Sequence, residues 1–490
     1  MKKTKALILS LLLLAGIGAQ AKDYNASLFG IKSNGTTLNT TAIQKAIDYI
    51  HENGGGRLVF YVGRYLTGSI ELKSNVTIQL NEGAVLLGST NPYDYRKIEG
   101  TWLGLILANG AENIGIVGRG VIDGQGRETA YNYADQIQKG IINDNLNYDR
   151  AANRPTLIYL RECKNVAINN VTWKNSAFWV QIYDQCQNLN IDNITVDSKA
   201  FWNNDGIDIV DCNGVKLTNS FFDATDDAIC LKSHDPNSIC QNVEISHCVA
   251  RSSASGVKFG TASRGGFRNV KLTNIKVYDT YRSALAFEAV DGGVVENVTV
   301  DSLSSYNTGN VIFFRIGERY QGEKGKFNNV TVSNLYAEVP AGKPDAGYEY
   351  EGPVEDLPRN ISPATIVGLP EQYITNVTLR NVTIVYPGGG NPNYAKVGTD
   401  AKSLKAIPEM PTAYPEFSQF KELPAWGFYI RHAKGITFDN VKFIAEKGGD
   451  YRPCIVTDDV QGFKMTKVEF EEPDAAGKEQ VVTYKTTVIE

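Results

Sequence analysis

Three aspartates carry the strongest chemical signal in the sequence. Asp205 lies in "NNDGIDIVD", Asp226 and Asp227 lie in "TDDAICLKS", and 22 residues separate Asp205 from Asp227. Each motif stands just ahead of a short apolar stretch of strand character. Aspartate is a poor strand former, so sheet propensity gives no reason for it there. Crowded carboxylates suit acid–base chemistry, because the neighbour's charge keeps one member protonated as an acid while another stays ionised as a base. Glycosidic bond hydrolysis uses such a division: one carboxylic acid protonates the leaving oxygen and a carboxylate activates water on the opposite face of the sugar. That chemistry needs an element that brings residues one repeat apart onto a shared face.

An internal repeat supplies it. A phrase of Asn, apolar, any residue, apolar recurs at Asn75, Asn113, Asn165, Asn188, Asn242, Asn269, Asn297, Asn329 and Asn376, with degenerate copies at Gly214 and Gly435. From Asn165 to Asn297 the spacings are 23, 26, 28, 27 and 28 residues. A period of this length marks a solenoid. The β-branched content and the period-two alternation exclude a helical solenoid and point to a parallel β-helix whose coils stack about 4.8 Å apart. The Asn residues then form a column at one corner, where stacked amides satisfy one another and the turn backbone.

Aligned by anchor, one later strand of each coil matches: "GIDIVD", "AICLKS", "GVKFGT", "ALAFEA" and "VIFFRI". The second and fourth positions are always apolar and face the core: Ile207/Ile209, Ile229/Leu231, Val257/Phe259, Leu285/Phe287 and Ile312/Phe314. The odd positions face out, since strand side chains alternate. They include Asp208, Lys232, Lys258, Glu288 and Arg315. One outer face therefore collects Asp205, Asp226 and Asp227 beside Lys232, Lys258 and Arg315. The bland alternative for Asp208 or Lys232 alone is a solvated charged face. A cation such as Lys258 or Arg315 beside the carboxylates is able to hold a sugar carboxylate, which points to a uronic-acid substrate.

The rest of the chain frames this face. "TAIQKAIDYIHENGGG" has the apolar spacing of an amphipathic helix and should cap one end of the solenoid, which otherwise is a bare sheet edge. Proline-, glycine- and tyrosine-rich stretches near 338–373 and 386–427 read as long loops able to wall a cleft. Cys163, Cys186, Cys212 and Cys240 each precede their coil's anchor by two residues and should form a buried ladder; with seven cysteines in all, one disulfide stays open as an addition. No Cys/His spacing suggests zinc, and no metal or cofactor is expected. A net charge of −5 recruits neither nucleic acid nor an acidic membrane surface. Residues 1–21 combine Lys2, Lys3 and Lys5, an apolar run and an Ala19-x-Ala21 cleavage pattern, the marks of a signal peptide. Residues 22–490 then form one exported β-helix domain, periplasmic or secreted, with no membrane anchor after cleavage.

The helix with "GGGRLVFYVGRYLTGSIELKSNVTIQLNEGAVL", then "NNDGIDI" and "TDDAICLKS", resembles family 28 glycoside hydrolases, the polygalacturonase group, over roughly residues 22 to 445. The resemblance implies a right-handed parallel β-helix of the pectin-lyase-like kind, an inverting hydrolysis of pectic carbohydrate without a metal, Asp226 as general acid, and Asp205 and Asp227 activating water. The chain departs from the family pattern in two places. Ser255 in "ASG" stands where a Gly-His-Gly histidine is usual, and "ALAFEA" stands where an Arg-Ile-Lys motif is usual. Lys258, Arg282, Glu288 and Arg315 occupy that neighbourhood, with Asp208 and His234 as further candidate substrate-binding residues. The departures point away from plain endo-attack on homogalacturonan and toward exo-action, or a rhamnogalacturonan-type or decorated pectin. His234 is equally readable as a surface-loop residue, and His432 reads as structural. Trp202 either stacks on a sugar or packs in the core. Two other functions fit the same fold: a polysaccharide lyase, with calcium-binding aspartates and Lys258 or Arg315 as base, and a carbohydrate-binding solenoid without catalysis.

Overall fold

The computed structural model describes residues 22–143, 154–320, 322–344, 348, 360–394 and 396–489. The signal peptide expected at 1–21 lies outside them, as do 345–347 and 349–359 of the first expected loop. The chain winds as a right-handed parallel β-helix with three strands per coil. One coil holds Thr156–Arg161, Lys164–Asn169 and Thr172–Lys174; the next holds Gln181–Asp184, Gln187–Asp192 and Thr195–Ser198. Equivalent strands pair in parallel from coil to coil, as in Ile182↔Asp208, Asp208↔Cys230 and Cys230↔Lys258.

The repeated Asn has a backbone reason. Asn165, Asn188, Asn242, Asn269 and Asn297 have φ of 54 to 56°, the left-handed region that Asn tolerates and most residues avoid. This conformation turns the chain between two strands. At Gly214 (φ 78°) and Gly435 (φ 66°) glycine makes the same turn. The amides form a ladder, Asn165 donating to Asn113 at 3.0 Å, Asn188 to Asn165 at 3.1 Å and Asn269 to Asn242 at 3.2 Å. Where Gly214 offers no side chain, Asn242 reaches Asn213 at 2.8 Å instead. A second ladder follows five residues on, Asn193 donating to Asn170 at 2.7 Å.

The second and fourth positions of each site strand, Ile207/Ile209 through Ile312/Phe314, all lie in the main buried cluster. Phe259, Phe287 and Phe314 stack along the axis with centroids 4.8 and 4.4 Å apart. The cysteine column is present. Cys186 and Cys212 are buried thiols donating to Leu160 O (3.3 Å) and Tyr183 O (3.1 Å) of the preceding coil. All seven cysteines are free, so no bridge supplements the ladder.

Helix α1 (Thr40–Glu52) buries Ile43, Ala46, Ile47 and Ile50 against the first coil. Helix α2 (Gly126–Gln138), with no counterpart in the sequence reading, follows the strand Val121–Asp123. The stretch 338–373 is not all loop: it contains the strand Ala364–Val367, which pairs with the chain on both sides and continues the site sheet. The stretch 386–427 contains a short helix, α3 (Ala401–Ala406), capped by the Asp400 carboxylate on Lys402 N at 3.0 Å and Ser403 N at 3.1 Å.

Apolar side chains also cover both ends of the site sheet's outer face. Toward the N-terminal coils, Ile98, Trp102 and Trp179 pack on Leu107, Tyr159, Ile182 and Val210. Toward the C-terminal coils, Leu404, Ile407, Phe420 and Leu423 pack on Phe313, Val367, Tyr429 and Val456. Between these two coverings lie the charged residues.

Candidate active site

The aspartates stand in the turns that lead into successive site strands. Asn204 shapes the first turn: its Oδ1 accepts from Ser198 Oγ (2.9 Å) and Ala200 N (3.2 Å), and its Nδ2 donates to Phe178 O (3.0 Å). The next residue, Asp205, is thereby aimed at the outer face. Gly206 follows because a Cβ there would lie 2.4 Å from Ala228 O of the next coil. In the second turn Asp227 N donates to Asp226 Oδ1 at 2.9 Å, and Ser255 N, one coil further, donates to Asp227 Oδ1 at 3.1 Å. The stack brings a carboxylate oxygen of Asp205, one of Asp227 and the Cys230 Sγ all within 4.8 Å of one another. Asp205 and Asp227 are buried, whereas Asp226 is half-buried.

Two lysines bind this group together. Lys232 Nζ lies 3.2 Å from Asp205 Oδ2 and 3.2 Å from Asp208 Oδ1. Lys258 Nζ lies 3.0 Å from Asp227 Oδ2 and 3.8 Å from Glu288 Oε2. Each ammonium also meets an aromatic ring, Lys232 over Trp179 and Lys258 over Tyr414, whose hydroxyl is 3.2 Å from Nζ. Arg282, from the turn two coils beyond, pairs with Glu416 at 3.3 Å.

The outward positions do point away from the barrel core, but they are not solvent-exposed: Asp208 is 0%, Lys258 1% and Glu288 2% exposed. The walls described above and the Tyr414–Glu416 segment cover them. Asp205, Asp208, Asp226, Asp227, Lys258, Arg282 and Glu288 form one cluster. Arg315 sits in register beside Glu288, but its guanidinium turns to the carbonyls of Gly368, Glu409 and Met410 and holds the second loop. His234 is half-buried at the margin, its backbone N–H bonded to Asp211. His432 lies in a separate network with Asp459 and Glu409. Trp202 is 51% exposed and stacked on Phe201, so it is not a core residue. The adjoining Asn203 donates to Asp226 Oδ2 at 3.4 Å.

The electrostatics separate two neighbours. Burial, and then the charge of Asp227, raise the pKa of Asp226. Burial pushes Asp227 the same way, but Lys258, Lys232 and Arg282 together outweigh it and hold its carboxyl below the ordinary value. Asp205 is raised by burial and by Asp208 and Asp226, against Lys232. Burial also pushes Asp208 and Glu288 up to about 7, opposed by Lys232 and Lys258 respectively. His234 is pushed down to about 4 by burial and Lys232.

Among the described residues, Asp205, Asp227 and Cys230 are the side chains grouped closely enough to hold a metal ion. The ammonium groups of Lys232 and Lys258 already neutralise the same carboxylates, so the donor set suits a charge-paired acid–base cluster better than a resident cation. Four contributors escaped the sequence reading. Asn204 was legible as the residue before the aspartate in "NNDG". Trp179, Tyr414 and Glu416 come from segments without periodicity and gave no signal.

Fold and site together define a β-helix glycoside hydrolase. Residues 59–284 match the model of glycosyl hydrolases family 28, the family whose motifs the sequence resembles. The chain is 31% identical over 254 residues to an exo-poly-alpha-D-galacturonosidase of Dickeya chrysanthemi, covering 43% of this chain and 42% of that one. It is 25% identical over 407 residues to a probable polygalacturonase of Vitis vinifera, covering 78% of each. The structure of a family 28 exopolygalacturonase of Yersinia enterocolitica superposes with a TM-score of 0.68 at 20% identity, over 93% of this chain and 79% of that one, and shows the shared fold.

Proposed function

We propose that this protein hydrolyses α-glycosidic bonds in galacturonic-acid-containing pectic carbohydrate, with inversion and from a chain end. Asp226 is the general acid and Asp227 the base, with Asp205 holding the attacking water alongside it. The observation that carries this is the packing of three carboxyls from two successive turns, Asp205 against Lys232 at 3.2 Å, Asp227 against Lys258 at 3.0 Å and Asp226 beside it; burial then favours Asp226 as the acid while the cations favour Asp227 as the base. Names of relatives support the substrate class, since they act on galacturonan.

Exo-action is supported by the walls. Apolar clusters cover the site sheet on both sides of the charged window, which limits the length of sheet a polymer could lie across. The lyase reading is weaker because its candidate bases are occupied: Lys258 is paired with two carboxylates and Arg315 with three carbonyls. Residues 1–21 support export to the periplasm or medium. Proton NMR of the first product formed from pectic oligosaccharides, followed by chromatography, tests the reading. It expects the inverted anomer and release of one short product from an end. Retention, or an unsaturated product absorbing in the ultraviolet, refutes it.

A further inference from the structure

A uronate substrate needs a cation to receive its carboxylate, and the cations nearest the aspartates are already engaged. Lys232 serves Asp205 and Asp208, Lys258 serves Asp227 and Glu288, and Arg282 is paired with Glu416. Arg315 donates to backbone carbonyls, and Arg319 is paired with Asp291 at 2.8 Å. Arg264 is the exception: among the described residues its guanidinium has neither an ion-pair nor a hydrogen-bond partner, and it lies over the ring of Tyr320, 4.7 Å from the centroid. Arg264 is half-buried and Tyr320 is 45% exposed, so the pair borders solvent.

The coil stack fixes where this pair sits. Arg264 directly follows the strand Val257–Ser263, whose outward Lys258 holds Asp227. The aspartates stand in the turns that enter the site strands; Arg264 stands in the turn that leaves them. From Lys258 to Arg264 is at most about 20 Å of extended chain, a span that a few linked sugar rings cover. The pairing Ser233↔Ser263 puts His234 at the equivalent position one coil earlier. Burial and Lys232 keep that imidazole neutral, so it adds no charge beside the guanidinium. Two carboxylates feel Arg264 but are engaged elsewhere: Asp291 by Arg319, and Asp235 by Asn237 N at 2.9 Å and Ser238 Oγ at 3.3 Å. A guanidinium stacked on a ring keeps its in-plane N–H groups for a ligand, and their fork matches a carboxylate. The ring also restrains the side chain before binding, which lowers the ordering cost.

We propose that Arg264, stacked on Tyr320, is a substrate-binding residue that receives the carboxylate of a uronate unit beyond the two joined by the cleaved bond. The proposal rests on the hydrolase reading above.

Calorimetry in an Asp226→Asn background measures binding without turnover, with tetragalacturonate and its fully methyl-esterified form as probes. Adding Arg264→Gln should weaken tetragalacturonate binding about tenfold or more, the value of a charge-assisted hydrogen-bonded pair, and leave the ester nearly unchanged. Arg264→Lys, which keeps the charge without the fork, should fall between, and Tyr320→Leu should weaken tetragalacturonate severalfold. With Asp226 intact, Arg264→Gln should raise KM for tetragalacturonate at unchanged kcat. It should leave kcat/KM for digalacturonate alone, since a dimer must span the cleaved bond to react. Undiminished tetragalacturonate binding by Arg264→Gln overturns the proposal. An equal loss for the ester overturns it too, because no carboxylate is then being read. An equal loss of kcat/KM for digalacturonate moves the contact to the cleaved bond and overturns it as well. Binding that depends on Arg264 without any cleavage of either oligomer instead refutes the hydrolase reading and leaves the carboxylate subsite standing.

Discussion

Lys258→Met separates two roles that a lysine near a uronide substrate can have. If Lys258 holds a substrate carboxylate, its loss raises KM. The structure puts its ammonium 3.0 Å from Asp227 and leaves it 1% exposed, so its loss should act on Asp227. At 3.0 Å an ion pair in surroundings of effective dielectric about 20 is worth about 5 kcal/mol, and breaking one partner of a buried pair costs about 3–5 kcal/mol. Removing that cation raises the pKa of Asp227, which Lys258 is the largest force holding down. Asp227 must be ionised to take a proton from water, so protonation abolishes its role. The acid limb of the kcat/KM profile therefore moves to higher pH. Activity should fall most at the acid end and recover in part as pH rises, while Lys258→Arg keeps most of the charge and moves the limb less. The assay is a pH series of initial rates by reducing-end release, with circular dichroism to confirm folding. An unmoved acid limb with KM alone increased would refute the assignment and restore the clamp.

Asp226→Asn, Asp227→Asn and Asp205→Asn should each lower kcat by about 10²–10⁴, the range of a lost acid or base, with melting curves showing the fold intact; near-normal turnover removes that residue from the machinery. Asp208 and Glu288 have folded pKa values near 7, above those of free carboxyls. Their stabilising contribution is full in acid and is lost as pH rises from about 4 to 7, so Tm should fall across that window, and Glu288→Gln should flatten the slope; an unaltered slope would show that Glu288 does not titrate there. Trp202→Ala removes an exposed ring beside Asn203 and should weaken substrate binding by about 2–10-fold, the value of one aromatic contact, read as KM; no change would leave Trp202 outside the site. Asn269→Ala loses two ladder hydrogen bonds and puts alanine at φ 54°, a loss of about 2–4 kcal/mol, whereas Asn269→Gly should cost less; calorimetry giving the reverse order would deny the left-handed turn its part.

The stack was legible in the sequence because each coil repeats one backbone requirement. Asn or Gly at the corner reports a positive φ, and alternation in "GIDIVD" and "ALAFEA" reports which side chains enter the core. Those two signals suffice to bring Asp205 and Asp227 together. The second Asn column was equally readable, five residues after the first. Burial of the outward charges was not. It depends on Trp179, Tyr414, Glu416 and the α3 segment, whose positions come from tertiary packing without any period. Lys258 and Arg315 therefore read from sequence as cations open to a ligand, while in the folded chain one is locked to carboxylates and the other to a loop.

Six of the seven cysteines sit in the core of the coil stack, Cys230 lies buried on the outer face beside Asp205 and Asp227, and none is joined to another. Cohesion comes from amide columns, apolar stacking and main-chain pairing, none of which involves electron transfer. Dithiothreitol or glutathione should leave the folded chain unchanged, and refolding needs no disulfide isomerase. An oxidising destination is then a place where the enzyme can work, not a condition for making it.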